Sequence, residues 1–374
     1  MIQVLEATTR RMQREFLDFP NRLYKDCPYY VPPLWMDEKK IFRKDYLYLE
    51  TSDAVYFNAY KDGVMSGRIS GIIQRASNEK TGEKRVRFTR FDVVEDFEVA
   101  KALFEAVEKW ALERGMEKAC GPLGFSDLER EGLLIDGFDQ MSTFEEQYNY
   151  PYYQDFIERL GYAKEVDWYE YRIKAPDDET IAGMHKMSDF VMKRYHLRMG
   201  PAKSASDFLK KYKDGFFEIL DKSYENIYGT VPFTKKMIQL MVDNFKMILD
   251  EKHAVVILDE NDKVVLMGIC FPSIAKAARV AGGHLTPRAI YEFLKAKRHP
   301  EVIDLGLIGV DPEWLNRGVS VCVAAGLAEM LKDPGIQYAE SNLNLEDNYA
   351  IQNLWKRFNS VRHKRRRAYI KQLS

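Results

Sequence analysis

Ala54–Tyr60 and Val64–Ile73 are runs rich in apolar and aromatic residues, separated by the polar step Lys61-Asp62-Gly63. That pattern predicts a hairpin, because Asp-Gly supplies residues that accept the left-handed turn conformation. A third strand is expected over Arg87–Val94. Val99, Ala100, Leu103, Val107, Trp110 and Ala111 then recur with a period near 3.6, which predicts an amphipathic helix ended by Gly115. Ala119-Cys120-Gly121-Pro122 leads into another strand. A second helix follows Pro151 and stops at Gly161, and Trp168–Ile173 alternates as a strand.

The same order of elements returns further along. Asp177 or Asp178 caps a helix carrying Ile181, Met184 and Val191. Helices over about Asp207–Tyr228 and Phe233–Leu249 precede a hairpin, Ala254–Leu258 and Val264–Phe271, turned at Glu260-Asn261-Asp262. A strand over Val302–Val310, a helix from Gly318 to Leu331, a strand near Tyr338–Leu345, a helix from Asp347 to Phe358 and a terminal strand complete the chain. The pattern therefore predicts an α/β (α+β) protein of two similar units. Their boundary falls at the short polar linker Lys174–Asp178, giving domains 1–175 and 176–374.

Length and charge agree with this picture and narrow it. A chain of 374 residues suits two domains. With 56 basic and 57 acidic residues it is not a polycation built to coat nucleic acid. The charge is unevenly spread: the net is -6 up to Ala175 and +5 beyond it. The basic run Arg362, Lys364, Arg365, Arg366, Arg367 and Lys371 mixes with apolar residues and reads as a solvated terminal strand; the alternative is a nucleic-acid tail. The longest apolar stretch, around Val319–Leu331, is too short to cross a membrane. No basic segment followed by an apolar one opens the chain, so no export signal is expected and the expected location is cytoplasmic. Cys27, Cys120, Cys270 and Cys322 are scattered, none in a C-x-x-C pair, and the histidines are isolated, so no metal site is expected.

One segment carries candidate chemistry. Asp304–Val310 is an apolar strand; Asp311-Pro312-Glu313-Trp314-Leu315-Asn316-Arg317-Gly318 is a turn; Val319-Ser320 opens an apolar helix. The first N–H groups of a helix lack intrahelical partners and lie at the positive end of its dipole, a ready site for a phosphate. Arg317 adds a fixed cation, and Gly318 lets the backbone approach closely. The alternative is an ordinary strand-to-helix turn with a surface arginine. It is neither a Walker loop nor a G-x-G-x-x-G turn.

A second segment follows about twenty residues later, Tyr338-Ala339-Glu340-Ser341-Asn342 through Glu346-Asp347-Asn348 into an amphipathic helix. It resembles the second motif block of the GNAT acyl-CoA acyltransferase superfamily. Val310-x-Pro312…Arg317-Gly318-Val319-Ser320 resembles that superfamily's pyrophosphate loop, usually Q/R-x-x-G-x-G/A. The first half resembles a narrower group of tandem GNAT proteins, often called YghO-like. The residues that carry this are Gly121-Pro122…Phe125-Ser126…Gly132–Asp139, Tyr148-Asn149-Tyr150-Pro151-Tyr152-Tyr153 and Leu160–Lys164, with the early Phe19-Pro20…Val31-Pro32-Pro33-Leu34 and the later Val231-Pro232. The resemblance covers nearly the whole chain. It implies two tandem GNAT-like domains, each a mixed, mostly antiparallel sheet flanked by helices. It also implies acetyl-CoA or another acyl-CoA as co-substrate, held at Val310, Asn316, Arg317, Gly318, Val319, Ser320 and Asn348.

The chain departs from the superfamily's pattern at Leu315, where a Q/R is usual, and at Ser320, where a Gly or Ala is usual. Trp355 stands where many GNAT enzymes place a tyrosine that protonates the leaving thiolate; Phe156 or Ile157 stands there in the first half. At the first half's matching turn, Phe91–Asp96, there is no glycine, and the three carboxylates Asp92, Glu95 and Asp96 would repel a pyrophosphate. Cofactor binding is therefore expected in the second half alone, and the Leu133–Asp139 loop is expected to wall an acceptor pocket. Two catalytic candidates remain. Glu340 could relay a proton from an ammonium substrate; otherwise it is a solvated strand residue or half of a salt bridge. His284, in a Gly-rich loop of the second half, titrates in a useful range; otherwise it is solvated.

The expected function is an acyl-CoA-dependent N-acyltransferase, such as an N-acetyltransferase, acting on a small-molecule amine. No nucleic-acid or membrane partner is expected, and a homodimer is left open. The alternative is a degenerate pair that binds a ligand or partner without turnover. A third reading is aminoacyl transfer of the Fem type, which the near-zero net charge disfavours because it offers tRNA little attractive field.

Overall fold

The computed structural model describes residues 1–225 and 227–374. Two compact units emerge: Met1–Tyr169 with Ile274–Phe293 and His363–Ser374, and Glu170–Ser273 with Leu294–Arg362. The first unit opens with β1 (Ile2–Glu6), α1 (Arg10–Leu23) and α2 (Trp35–Glu38). It continues with the expected hairpin, β2 (Ser52–Lys61) and β3 (Val64–Gln74), then α3 (Arg75–Thr81), β4 (Arg85–Val93) and α4 (Phe97–Leu112). β5 (Lys118–Gly121), β6 (Leu133–Asp136), α5 (Tyr152–Arg159) and β7 (Ala163–Lys174) follow.

From Glu170 the chain builds the second unit with α6 (Asp178–Arg194), β8 (Arg198–Met199), α7 (Ala205–Tyr224), α8 (Lys235–Ile248) and the hairpin β9 (Ala254–Leu258) and β10 (Val264–Pro272). Next along the chain come α9 (Ala275–Arg279), which belongs to the first unit, and α10 (Pro287–Arg298), which belongs to the second from Leu294 on. Then, in the second unit, come β11 (Val302–Val310), α11 (Ser320–Met330), β12 (Tyr338–Glu340), β13 (Asn344–Leu345) and α12 (Tyr349–Trp355). Last is β14 (Asn359–Gln372), in the first unit from His363 on. The helix expected to reach Tyr228 ends at Tyr224, and Asn226 lies outside the described residues.

In the first unit the strands run β1-β2-β3-β4-β5-β14-β7. Pairing is antiparallel from β1 to β4, parallel between β4 and β5, and antiparallel between β5 and β14. The second unit runs β7-β12-β11-β10-β9-β8, with β11 and β12 parallel and the other pairs antiparallel. Both sheets are thus mixed and mostly antiparallel, as expected. Helices cover them for the reason the periodicity gave. Val99, Leu103, Phe104 and Val107 of α4 are buried against Ile69, Phe88 and Phe91 of the first sheet. Phe208, Tyr212, Phe216 and Leu220 of α7 are buried with Met267, Ile269 and Phe271 of β10. Each such side chain contributes roughly 1.5–3 kcal/mol on leaving water. Asp177 caps α6 through the Thr180 N–H at 2.7 Å, as its position suggested.

Three local expectations change. Tyr338–Leu345 is not one strand: pairing breaks after Glu340 and resumes at Asn344. Leu133–Asp139 begins as β6, in register with β14 (Leu133 with Arg367, Leu134 with Arg366, Asp136 with Arg365), and its leucines are buried. The basic C-terminal run is indeed a strand, but not a solvated one. Arg366 is 0% exposed and pairs with Glu146 at 2.7 Å. Arg367 makes a two-pronged bond to Asp167 at 2.7 and 2.9 Å, and Lys371 reaches Glu108 at 2.8 Å. Arg366, Arg367 and Lys371 thus answer carboxylates of their own unit.

Candidate functional site: the fork in the second sheet

β11 and β12 are paired only from Val302–Asp304 against Tyr338–Glu340. Beyond Asp304, β11 stays bonded to β10 as far as Val310 while β12 ends, so the two parallel strands part. A bulge lies at the same place: Gly268 faces Ile308 but Cys270 faces Leu305, so that Gly306 and Leu307 of β11 lie opposite the single residue Ile269. Glycine is required there, since a β-carbon at Gly306 would come within 2.5 Å of the Phe271 ring and 2.9 Å of the Ile269 carbonyl oxygen. At the root of the fork the Asn342 side-chain amide donates to the Gly306 carbonyl at 2.6 Å. Further up, hydroxyls of α7 donate to β11 carbonyls: Tyr224 to Ile308 at 3.2 Å and Ser223 to Val310 at 2.8 Å. Sequence reasoning missed Asn342, Ser223 and Tyr224. Nothing in a helix end or a polar loop says which strand it will meet.

Two rows of side chains cross β11, β12 and β7 below the fork. Ile303, Ala339 and Ile173 are in register and fully buried, facing α6 and α11. The next row is Asp304, Glu340 and Arg172, which alternation turns to the opposite face of the sheet. Glu340 is only 4% exposed, so the reading of a solvated strand residue is corrected. The Arg172 guanidinium lies 4.5 Å from the centre of the Tyr338 ring. The root of the fork therefore holds two buried carboxylates with a cation across from them, a set that can receive a proton or hold an ammonium group.

At the top of β11 the turn is tightly built. The buried Asp311 carboxylate accepts from the Glu313 N–H at 3.0 Å and from Lys263 Nζ at 2.8 Å. Burial works against its charge, but Lys263 and that N–H outweigh burial and hold the carboxyl below its usual range. A 3₁₀ turn over Pro312–Arg317 ends at Gly318, whose φ of +77° is the left-handed conformation glycine accepts freely. α11 then starts without any side-chain cap. Its first N–H groups, at Gly318, Val319 and Ser320, lie at the positive end of the helix, where an anion is stabilised. Arg317 is exposed, its guanidinium 4.5 Å from the Trp314 ring centre and 5.8 Å from that of Tyr195. Those two rings meet edge to face at 5.7 Å, so the cation is steered by an aromatic corner. Val310 ends the strand below; Asn316 is exposed beside Arg317; Leu315 is exposed and offers no hydrogen bond.

The remaining candidates are placed differently. Asn348 caps α12, accepting from the Ile351 N–H at 3.2 Å. Trp355 is buried and donates its indole N–H to Asn344 at 2.6 Å, so it holds the strand-helix junction. His284 falls in the Ile274–Phe293 segment and so belongs to the first unit, not the second. Its ring stacks on Trp35 at 4.6 Å, while the Trp35 N–H donates to the Gly283 carbonyl at 2.9 Å. The fold thus brings Val310, Asn316, Arg317, Gly318, Val319 and Ser320 onto one strand-turn-helix and sets Glu340 at the root of the fork. It does not bring His284 into that unit.

The first unit has a fork of the same kind, already filled. β4 and β5 are paired over Arg85–Arg87 and Lys118–Cys120, and β4 bulges at Arg90, which has φ +48°. Arg90 makes a two-pronged bond to Glu38, 3.1 Å on each arm. The Leu123 N–H takes the Phe88 carbonyl at 2.9 Å. Higher up, buried Asp92 accepts from Arg68 Nε at 2.7 Å and from the Tyr24 hydroxyl at 2.9 Å. Tyr153 accepts the Val93 N–H at 2.8 Å, and Tyr152 donates to the Val93 carbonyl at 2.7 Å. Asp96 caps α4, accepting from Glu98 and Val99, and pairs with Lys61. The carboxylates of this turn therefore do not act by repelling a phosphate. Asp92 is neutralised by Arg68, and the helix start that could hold a phosphate already holds the Asp96 carboxylate. Phe156 and Ile157, like Trp355, are core residues.

No family model matches the chain. Protein YghO of Escherichia coli (strain K12) is 27% identical over 372 residues, 96% of this chain and 93% of that protein. The bacterial ceramide synthase of Caulobacter vibrioides (strain NA1000 / CB15N) is 24% identical over 253 residues, 67% of this chain and 65% of that one. Among solved structures, a tandem GNAT protein from the clavulanic acid biosynthesis pathway matches 100% of this chain with 99% of its own length, at a TM-score of 0.59 and 10% identity. A GCN5-related glucosamine N-acetyltransferase region of a fungal multi-domain β-N-acetylglucosaminidase matches 99% of this chain with 38% of its own, at 0.56 and 13%. The fold is that of tandem GNAT proteins. Among the described residues no group of three or more His, Cys, Asp or Glu could hold a metal ion, and no helix is long and apolar enough to cross a membrane.

Proposed function

We propose that the second unit binds acyl-CoA and that the protein transfers the acyl group to an amine. The observation that carries this is the uncapped start of α11, with Gly318 left-handed and Arg317 steered beside it, directly above a fork of parallel strands. Arg317 and the N–H groups of Gly318, Val319 and Ser320 would hold a pyrophosphate. Beyond Asp304 the Gly306, Ile308 and Val310 carbonyls of β11 already accept from Asn342, Tyr224 and Ser223, so β11 would offer N–H donors to an extended amide arm and to a thioester carbonyl oxygen. Glu340 would take the proton that an ammonium must lose before its nitrogen attacks. The C–N bond forms as the C–S bond breaks; the nitrogen gives up its second proton on becoming an amide, the sulfur leaves with that proton as free thiol, and the first proton passes from Glu340 to water. Neither Trp355 nor Leu315 helps, so positioning supplies most of the rate.

The amine is open, but the Caulobacter relative's name points to one class. A ceramide is a fatty-acyl amide of a long-chain amino alcohol, so long-chain bases belong beside short polyamines and amino sugars among the trial acceptors. The test is to incubate the protein with acetyl-, medium- and long-chain acyl-CoA and each amine, following free thiol and amide mass together. The expected result is one thiol per amide formed with at least one pair. A second reading, a protein that holds the ligand without turnover, is favoured by Leu315 and Trp355. Tight binding with no thiol from any pair would establish it.

A further inference from the structure

The segment from Ala275 to His299 is one-sidedly charged: Lys276, Arg279, Arg288, Lys295, Lys297 and Arg298 against the single acid Glu292. It includes α10, and α10 is turned inside out relative to a normal surface helix. Ala289 is buried, and Glu292, Phe293 and Ala296 are half-buried. The face open to water carries Ile290 at 46%, Tyr291 at 64% and Leu294 at 46% exposure, with Leu285 at 63% just before the helix. At 100° per residue, Ile290, Leu294 and Tyr291 span one stripe of about 100°, with Arg298 among them and Lys297, Lys295 and Arg288 at its two edges. Lysine and arginine so placed can send their charges outward past an apolar stripe.

We propose that this face of α10 docks on an anionic lipid surface, lying in the plane of the interface. Two independent features select this occupant. The apolar stripe is exposed and contiguous, which in a water-facing helix marks a contact surface. Its rim is cationic and almost free of acids, so it complements phosphate head groups rather than the mixed-charge rim of a typical protein partner. Tyr291 adds an amphipathic ring of the kind that sits at head-group level. Composition alone concealed this. The net charge of the whole chain is -1, and among the described residues no helix is long and apolar enough to cross a membrane. The inference does not depend on the acyltransferase reading, although a docked protein would meet long-chain substrates where they dissolve.

The test is co-sedimentation of the full chain with vesicles of phosphatidylglycerol and phosphatidylcholine, or of phosphatidylcholine alone, with no activity read. Binding is expected to the anionic vesicles only, falling several-fold between 50 and 300 mM salt. Ile290→Asn with Leu294→Asn should lower the bound fraction at least about tenfold, and Lys295→Glu with Arg298→Glu should remove the preference for anionic lipid. All four positions are exposed, so circular dichroism and melting should match the parent. No sedimentation of the parent, or equal sedimentation of the Asn variant, overturns the proposal. So does a doubled mass in light scattering that the Asn variant abolishes without lipid, which would make the stripe an interface between copies.

Discussion

Arg317→Glu should weaken CoA binding by at least about 100-fold in calorimetry and leave the melting temperature unchanged. The size follows from the loss of charge-assisted hydrogen bonds to a pyrophosphate, roughly 1.5–3 kcal/mol, with repulsion added to it. The fold should not notice, because Arg317 is exposed and lies over the faces of Trp314 and Tyr195. Arg317→Lys is a useful intermediate. It keeps the charge but loses the planar fork and its stacking, so an affinity between the two is expected. An unchanged dissociation constant for Arg317→Glu would remove the cofactor assignment.

The largest stability effect should come from the first unit, at Asp92→Ala. That change strands the buried Arg68 guanidinium, whose other bond is to the Phe16 carbonyl at 2.9 Å, and takes an acceptor from the Tyr24 hydroxyl. Breaking a buried pair by removing one partner costs about 3–5 kcal/mol. At about 2–4 °C per kcal/mol for a unit of this size, melting should fall by roughly 10 °C. Replacing both partners, Asp92→Leu with Arg68→Met, should recover much of the loss, because no charge is then left buried. A loss below about 1 kcal/mol for the single change would mean that the pair is solvated rather than buried.

Local pattern made much of this architecture readable. The β9–β10 hairpin, β11 and the α6 cap follow from apolar runs, turn chemistry and capping within a dozen residues. The phosphate-type turn was legible too, because Arg317, Gly318 and the helix after them are neighbours in sequence. What escaped was set by distant contacts. Arg366 looks solvated until Glu146 closes on it, and His284 looks like a second-half loop until Trp35 and Asn21 claim its segment. Glu340 sits in a three-residue strand, too short for alternation to reveal which way it faces or how deeply. Asn342 serves the fork only because β12 ends one residue after Ala339 and the chain turns toward Gly306. The filled fork of the first unit was half visible. Its carboxylates were plain, but that one is neutralised by Arg68 and another caps α4 depends on packing.

The division of labour between the two forks is the central claim, and a crystal soaked in CoA tests it most directly. The expected density is one molecule per chain, with its pyrophosphate on the N–H groups of Gly318, Val319 and Ser320 and its arm along the open edge of β11 beyond Asp304. Density at the Asp92–Asp96 turn of the first unit, or none at the start of α11 at saturating CoA, would contradict it.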